Sequence, residues 1–238
     1  MKVAIVTGGS SGIGRATAIL LAKKGYHVIN ISRRREPKEG GEPTDVLTGG
    51  EYVKCDFRNL MWVEGVAKWL ANRYGGLIHV LVNNVGEMAL KNDYSVKELV
   101  EYASSNLLSH YLLTWRLLAF NAFADRATIF FISSASGIRG EPDDIPFGAF
   151  KAGLIGMAKG FAKLKPEYRW IVIVPGLVAT YFIGSPKDIP EELVERIPLQ
   201  RPAKPEEIAN LILYILDNEY INNTIIVMDG GELMFRTC

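Results

Sequence analysis

The sequence has few cysteines, the residues that form the disulfides and many of the structural metal sites of small secreted proteins. Its 238 residues include two cysteines, Cys55 in a predicted strand and Cys238 at the terminus, so no disulfide framework is expected. No metal site is predicted either. Lysine and arginine total 27 against 26 for aspartate and glutamate, a formal net charge of +1. This balance argues against nucleic acid or an anionic membrane surface as the main partner.

Long apolar runs are also missing. None approaches the length needed to cross a bilayer, and Met1 and Lys2 lead straight into a predicted strand, so we expect neither a membrane span nor a signal peptide. A chain of 238 residues is long enough for one large α/β domain and short for two. One domain covering 1–238, in a cytoplasmic protein, is therefore expected.

Glycine is concentrated in a turn near the start of the chain. Residues 7–14 read Thr-Gly-Gly-Ser-Ser-Gly-Ile-Gly, after the apolar run 3–6 and before a helical pattern that Gly25 ends. Glycines permit positive φ and a close approach of the backbone to a pyrophosphate, while the helix N-terminus presents free N–H groups. The segment predicts a strand–turn–helix phosphate site. A glycine-rich turn without a ligand is the alternative.

The end of the second predicted strand, 27–31, indicates which dinucleotide is bound. An acidic residue here accepts hydrogen bonds from the adenosine ribose hydroxyls, but this chain has Ser32 followed by Arg33, Arg34 and Arg35. A phosphate group suits the planar donor fork of arginine. NADP(H) is therefore predicted in preference to NAD(H), which remains possible. A solvated basic turn is the alternative.

Predicted strands alternate with predicted helices, which favours a Rossmann-type, doubly wound parallel α/β sheet with helices on both faces. Within this pattern the chain resembles the short-chain dehydrogenase/reductase family over essentially its whole length. The motifs stand in the family's order: T-G-x-x-x-G-x-G at 7–14, N-N-x-G at 83–86, N-L at 106–107, I-S-S-x-x-G at 132–137, a lysine at 151, and P-G-x-V-x-T at 175–180.

The resemblance implies further contacts with the cofactor. Asp56 is expected to bind the adenine amino group, or to lie in an N-cap region before the next helix. The asparagines at 83 and 84 are expected to brace the sheet and line the pocket, and Thr180 to meet the nicotinamide carboxamide. The complete predicted cofactor set is Gly8, Ser10, Ser11, Gly12, Ile13, Gly14, Ser32, Arg33, Arg34, Asp56, Asn83, Gly86, Lys151, Pro175, Gly176, Val178 and Thr180.

The resemblance also implies a catalytic group in which one member differs. Ser134 is expected to hydrogen-bond the substrate oxygen, Lys151 to hold the nicotinamide ribose, and Asn106 to order a water behind that lysine. The family has a tyrosine four residues before the lysine, where this chain has Phe147. Phenylalanine has neither a proton nor a lone pair to offer, although hydride addition leaves an alkoxide that needs a proton.

Three interpretations of the site stay open. The protein is an NADP(H)-dependent oxidoreductase with a substitute acid; or it acts on substrates that need little protonation; or it binds nucleotide without turnover, as a sensor or partner subunit. We favour the first, with a small carbonyl or alcohol substrate. The candidate acids are a water held by Asn106 and Lys151, or one of Tyr181, Glu141, Asp143 and Asp144.

The remaining expectations concern loops and surfaces. Residues 36–50 are predicted as a loop without a crossover helix, and 99 to about 124 as one long helix. His110 is interpreted as a plain surface or interface residue of that helix. Family members are usually dimers or tetramers, and the apolar run 107–120 suits such a homo-oligomeric interface. In 181–201, the expected substrate loop, an apolar or aromatic carbonyl compound is suggested by Tyr181, Phe182, Ile183 and Ile189.

Overall fold

The computed structural model describes residues 1–182 and 185–235. Ile183 and Cys238, both named above, lie outside them. Parallel strands form one sheet in the order β3-β2-β1-β4-β5-β6-β7, which confirms the predicted doubly wound fold. The strands are β1 (Val3–Thr7), β2 (His27–Ser32), β3 (Glu51–Lys54), β4 (Ile78–Asn83), β5 (Phe123–Ile132), β6 (Arg169–Pro175) and β7 (Thr224–Met228).

Helices cover both faces of this sheet. They are α1 (Gly12–Lys23), α2 (Thr44–Thr48), α3 (Leu60–Tyr74), α4 (Val96–Ala103), a π-helical turn (Ser104–Leu108), α5 (Ser109–Ala119), α6 (Ser136–Arg139), α7 (Ile145–Leu164), α8 (Glu191–Val194), α9 (Pro205–Asp217) and α10 (Glu232–Phe235). Among the helices of the described residues, none has the length and apolar character to cross a membrane.

The core explains why the central strands read as unbroken apolar runs. One face packs against α1 and α9, and the other against α3, α5 and α7. All five residues of β1 are buried, as expected of a strand with helices on both sides. The strand order reverses between β1 and β4, and the carboxyl ends of these two strands therefore open a crevice above the sheet.

The helical segment predicted from 99 to about 124 is interrupted by the π-helical turn around Asn106 and ends earlier than predicted. The π-helical turn separates α4 from α5, and here the Asn106 amide donates to the carbonyl of Tyr102 at 3.1 Å. Side chains that bind the carbonyls of the preceding turn compete with the helical ladder. The helix ends before Asn121, which has φ 51°, and β5 already begins at Phe123.

The predicted helix-free loop at 36–50 is also wrong, because it contains α2. The Thr44 hydroxyl donates to the carbonyl of Gly9 at 2.8 Å and accepts from the Arg15 guanidinium at 3.1 Å. Gly49, in the left-handed region at φ 61°, ends the helix. This helix of five residues is anchored by its first residue to the glycine turn, a contact that the local sequence pattern does not reveal.

Asp144 begins α7 and is fully buried. Its carboxylate accepts from five donors at 2.6–3.2 Å: the N–H groups of Phe147, Ala89 and Leu90 and the hydroxyls of Tyr94 and Tyr102. Its negative charge, together with burial, raises the pKa of the Tyr102 hydroxyl. Asp144 therefore holds the segment before α4 against α7. Its use as a substitute acid is a prediction that this geometry contradicts.

We expect Asp144→Ala to lower the free energy of unfolding by about 3 kcal/mol or more, because it removes a helix cap and strands several buried donors. The neighbouring Asp143→Ala is the control, since Asp143 is exposed, and its effect should stay within about 0.5 kcal/mol. Urea unfolding of both variants measures the difference. Equal losses in the two variants would contradict this account of Asp144.

Candidate functional site

A cleft of about 530 Å³ runs over the carboxyl ends of the strands. It begins at the glycine turn, passes the ends of β2 and β4, and reaches the segments after β5 and β6. Fifteen of the predicted cofactor residues and two others of the catalytic group line it: Gly8, Ser10, Ser11, Gly12, Ile13, Ser32, Arg33, Arg34, Asp56, Gly86, Ser134, Phe147, Lys151, Pro175, Gly176, Val178 and Thr180 are all on its wall.

Several glycines of the turn occupy positions where a side chain would not fit. Gly8 and Gly12 have φ 68° and 55°, in the region that favours glycine. A Cβ on Gly14 would lie 2.4 Å from the carbonyl oxygen of Gly8, so Gly14 packs the turn against the start of α1. Gly14 itself does not line the cleft, and its predicted contact with the cofactor is replaced by this packing role.

The end of β2 provides a site for an anion. Ser32 donates to the carbonyl of Arg34 at 2.8 Å, which shapes the turn that follows the strand. The Nε atom of Arg34 is buried, and no described residue accepts a hydrogen bond from it. A buried guanidinium nitrogen without an acceptor is costly, and a phosphate oxygen would satisfy it. Arg35 is directed away from the cleft and pairs with Asp45 at 2.6 Å.

Asn83, the last residue of β4, and Asn84, which follows it, have different roles. Asn83 is buried, and its amide donates to the Thr114 hydroxyl at 3.1 Å, away from the cleft. Asn84 lines the cleft and donates to the carbonyl of Thr7 at 2.9 Å. The predicted cofactor contact of Asn83 is therefore wrong, and Asn84 is the residue that joins the cleft wall to the glycine turn.

Lys151 and Asn106 meet beside Gly86 at the opposite end of the cleft. A Cβ on Gly86 would lie 3.2 Å from the Lys151 ammonium and 3.1 Å from the side-chain oxygen Oδ1 of Asn106. Lys151 donates to the carbonyl of Ile132 at 3.0 Å, and burial lowers its pKa to about 8. Asn106 does not line the cleft; it accepts from the N–H of Glu87 at 3.1 Å and so fixes the cleft wall.

Phe147 lies beside this lysine. Its buried ring has its centroid 5.6 Å from the Lys151 ammonium and 5.9 Å from the ring of Phe182. Ser134, which also lines the cleft, accepts from the N–H of Ser136 at 3.2 Å. This end of the cleft therefore contains the Ser134 hydroxyl, the buried Lys151 ammonium and the Phe147 ring, which carries no hydroxyl.

The other candidate acids differ in how free they are. Tyr181, Glu141 and Asp143 all line the cleft. Glu141 is buried, accepts from the Ser136 hydroxyl at 2.9 Å and pairs with Arg139 at 2.9 Å, which leaves it as a bound carboxylate. Asp143 is exposed and Tyr181 is partly exposed, so these two keep the freedom to turn toward a ligand.

His110 is the polar residue that sequence reasoning misplaced. It is 1% exposed instead of lying on the surface, and no described residue gives either ring nitrogen a hydrogen bond. Burial and the charge of Lys151 lower its pKa to about 3. Its position four residues after Asn106, on the same helical face, is the sequence signal that could have placed it near the lysine.

Comparisons with known proteins agree with this geometry. A family model described as enoyl-(acyl carrier protein) reductase matches residues 8–232. The chain belongs to the short-chain dehydrogenase/reductase family. It is 33% identical to carbonyl reductase family member 4 of Xenopus laevis, and 31% identical to a 3-oxoacyl-[acyl-carrier-protein] reductase of Thermotoga maritima, each alignment covering 97% of both chains.

A solved short-chain dehydrogenase shares the fold. The enzyme from Burkholderia cenocepacia in complex with NADP has a TM-score of 0.85 and 24% identity, covering 98% of both chains. The family model and the relatives above confirm the predicted family. The names of these relatives are those of reductases.

The burial of His110 predicts an acid-sensitive fold. Its folded pKa of about 3 lies below the ordinary 6.5, so the unfolded chain binds the proton first as the pH falls. Between these values His110 should lower the free energy of unfolding by about 1.4 kcal/mol per pH unit. Denaturant titrations from pH 7 to about 4 should show a shallower slope for His110→Leu than for the wild type.

His79→Leu is the matched control, because His79 is partly exposed at the start of β4. It should keep the wild-type slope. A His110→Leu variant that loses stability with acid as steeply as the wild type would contradict the burial of an uncharged His110.

Proposed function

We propose that this protein is an NADP(H)-dependent oxidoreductase that transfers hydride between the nicotinamide and a carbonyl or alcohol substrate. The observation that carries the cofactor preference is the buried, unpaired Nε of Arg34 at the end of β2. A ribose 2′-phosphate there gives this nitrogen an acceptor, and Arg33 beside it supplies a second charge. The bound NADP of the Burkholderia relative is consistent with this preference.

The other residues of the cleft have roles that follow from their positions. The glycine turn presents its N–H groups to the pyrophosphate, Asp56 lies at the adenine end, and Thr180 at the nicotinamide end. Lys151 has one carbonyl partner and is buried, so ribose hydroxyls would satisfy its remaining N–H groups. The nicotinamide, when bound, supplies or accepts the hydride.

The chain's own groups must handle the proton. Ser134 donates to the substrate oxygen, and the positive charge of Lys151 stabilises the oxygen as negative charge develops on it. Phe147 occupies the place of the family's tyrosine and supplies no proton. Of the groups that line the cleft, Tyr181 is the candidate acid that carries an exchangeable hydroxyl proton and no competing ion pair among the described contacts.

The substrate end favours an apolar compound. Phe147, Phe182 and Leu193 line it, and residues 181–201 form the proposed substrate loop of a single domain over 1–238. The proposed assembly is a homodimer or homotetramer. We propose α5 as the interface between subunits, because its aromatic residues Tyr111 and Trp115 are 45% and 36% exposed.

A second function has its own support. The ring of Phe147 faces the Lys151 ammonium without any hydroxyl, so the cleft can hold nucleotide and fail to complete a proton transfer. The alternative is therefore an NADP(H)-binding protein that acts as a sensor or a partner subunit.

The proposed preference for NADP(H) predicts that removing Arg34 weakens the binding of NADPH more than that of NADH. Arg34→Ala should weaken NADPH binding about tenfold or more and leave NADH binding nearly unchanged, because only NADPH has the 2′-phosphate. Arg35→Ala is the control, since Arg35 pairs with Asp45. Fluorescence titration gives each Kd. A wild-type protein that binds NADH as tightly as NADPH would contradict the proposal.

The chemistry is tested by NADPH oxidation with ketones, diketones and quinones. We expect slow turnover by the wild type, loss of turnover in Ser134→Ala and in Tyr181→Phe, and a rate about 10²-fold or more higher in Phe147→Tyr, which restores a general acid. A silent wild type beside an active Phe147→Tyr would favour the binding-only function. An active wild type that Phe147→Tyr does not accelerate would show that another acid has taken over fully.

A further inference from the structure

The segment 36–43, here called the strap, crosses the mouth of the cleft. It joins β2 to α2 and touches both sides of the opening. The N–H of Lys38 donates to the Ser11 hydroxyl of the glycine turn at 2.8 Å, and its ammonium donates to the carbonyl of Tyr181 at 3.0 Å. The strap therefore bridges the glycine turn and the segment that begins the substrate loop.

Glu39 of the strap contacts the phosphate-binding end of α1. Its carboxylate accepts from the N–H of Gly12 at 3.1 Å and lies 3.8 Å from the Arg15 guanidinium. Gly12 is the first residue of α1, so its N–H has no acceptor within the helix, and the helix dipole favours a negative charge at this point. A carboxylate thus already occupies one of the N–H groups to which a pyrophosphate would bind.

We propose that Glu39 is an internal competitor of the cofactor pyrophosphate. This inference rests on the proposed function, since it concerns the same cleft. In the free protein Glu39 satisfies Gly12, and a dinucleotide must displace it before its own phosphate oxygens reach the turn. A pyrophosphate offers more oxygens and more charge than a carboxylate, so the exchange favours the ligand.

The partial exposure of Glu39 allows an incoming ligand to displace it. Its side chain is 34% exposed and can turn into solvent. Lys38 lines the same end of the cleft as Arg33 and Arg34, and burial together with these two charges lowers its pKa. A pyrophosphate entering this end relieves the repulsion among the three cations, whereas a ligand without a pyrophosphate leaves Glu39 in place. Glu39 therefore weakens the binding of nucleotides that carry a pyrophosphate and leaves the binding of those without one unchanged.

The test compares Glu39→Gln and Glu39→Ala with Glu42→Gln. Glu42 lies on the same strap and is exposed, and the described contacts give it no hydrogen bond to the glycine turn. Glu42→Gln therefore removes the same charge as Glu39→Gln without removing a contact to the turn. NADPH is titrated by fluorescence, and adenosine 2′-phosphate, which has the 2′-phosphate but no pyrophosphate, by calorimetry. NADPH should bind about threefold to tenfold more tightly to both Glu39 variants, because a partly exposed charged hydrogen bond no longer competes.

Glu42→Gln should bind NADPH as the wild type does, and adenosine 2′-phosphate should bind all four proteins alike. An unchanged or weaker NADPH Kd in the Glu39 variants would overturn the inference while leaving the proposed function intact. An equal gain for adenosine 2′-phosphate would also overturn it, since the effect would then be one of general charge. If none of the four proteins binds NADPH, the proposed function fails, and this inference fails with it.

Discussion

The close packing of the glycine turn is the constraint on which the site depends. A Cβ on Gly8 would lie 2.9 Å from the Asn84 amide, and one on Gly14 would lie 2.4 Å from the carbonyl oxygen of Gly8. Asn84 is in turn bound to the carbonyl of Thr7 at the end of β1. Because the turn can come this close to both strands, α1 starts directly over the point where the sheet reverses direction. The cleft and its anion-binding end follow from that placement.

The opposite end depends on the burial of a charge. Lys151 is 3% exposed and has one described acceptor, an expensive arrangement for an ammonium group. The π-helical turn brings Asn106 to the same point, and the absence of a side chain on Gly86 leaves room for both. His110 adds a buried ring that stays neutral beside this cation. The face of Phe147 offers the ammonium some compensation through its π-electrons.

Much of this architecture could be predicted from local sequence. β7 is recognisable from the short apolar run 224–228, although Ile225 and Val227 are exposed at the edge of the sheet. The capping box at the start of α4 is encoded locally, since Ser95 and Glu98 are three positions apart. The motifs likewise placed Ser134, Lys151 and the glycine turn on one cleft, because family motifs mark the carboxyl ends of strands.

The errors arose where distant residues decide the structure. Whether His110 faces solvent or Lys151 depends on the π-helical turn at Ser104–Leu108, and the apolar pattern does not encode that turn. The strap is similar: Glu39 and Gly12 are separated by 27 positions, and a Pro- and Gly-rich segment carries no periodicity that would reveal their contact. Asn83 and Asn84 could be predicted to be structural, but which of them lines the cleft depends on the positions of Thr7 and Thr114.

The two ends of the cleft do not support binding and chemistry equally. No described residue accepts a hydrogen bond from the buried Nε of Arg34, and the buried ammonium of Lys151 has one described acceptor, so both groups destabilise the free protein. One ligand with a phosphate at one end and hydroxyls at the other would satisfy both. Two independent places in the fold therefore favour dinucleotide binding. Turnover depends on one of them, where Phe147 leaves the proton to a group outside the buried cluster. A side chain or water that must move to deliver this proton slows the reaction without weakening the binding.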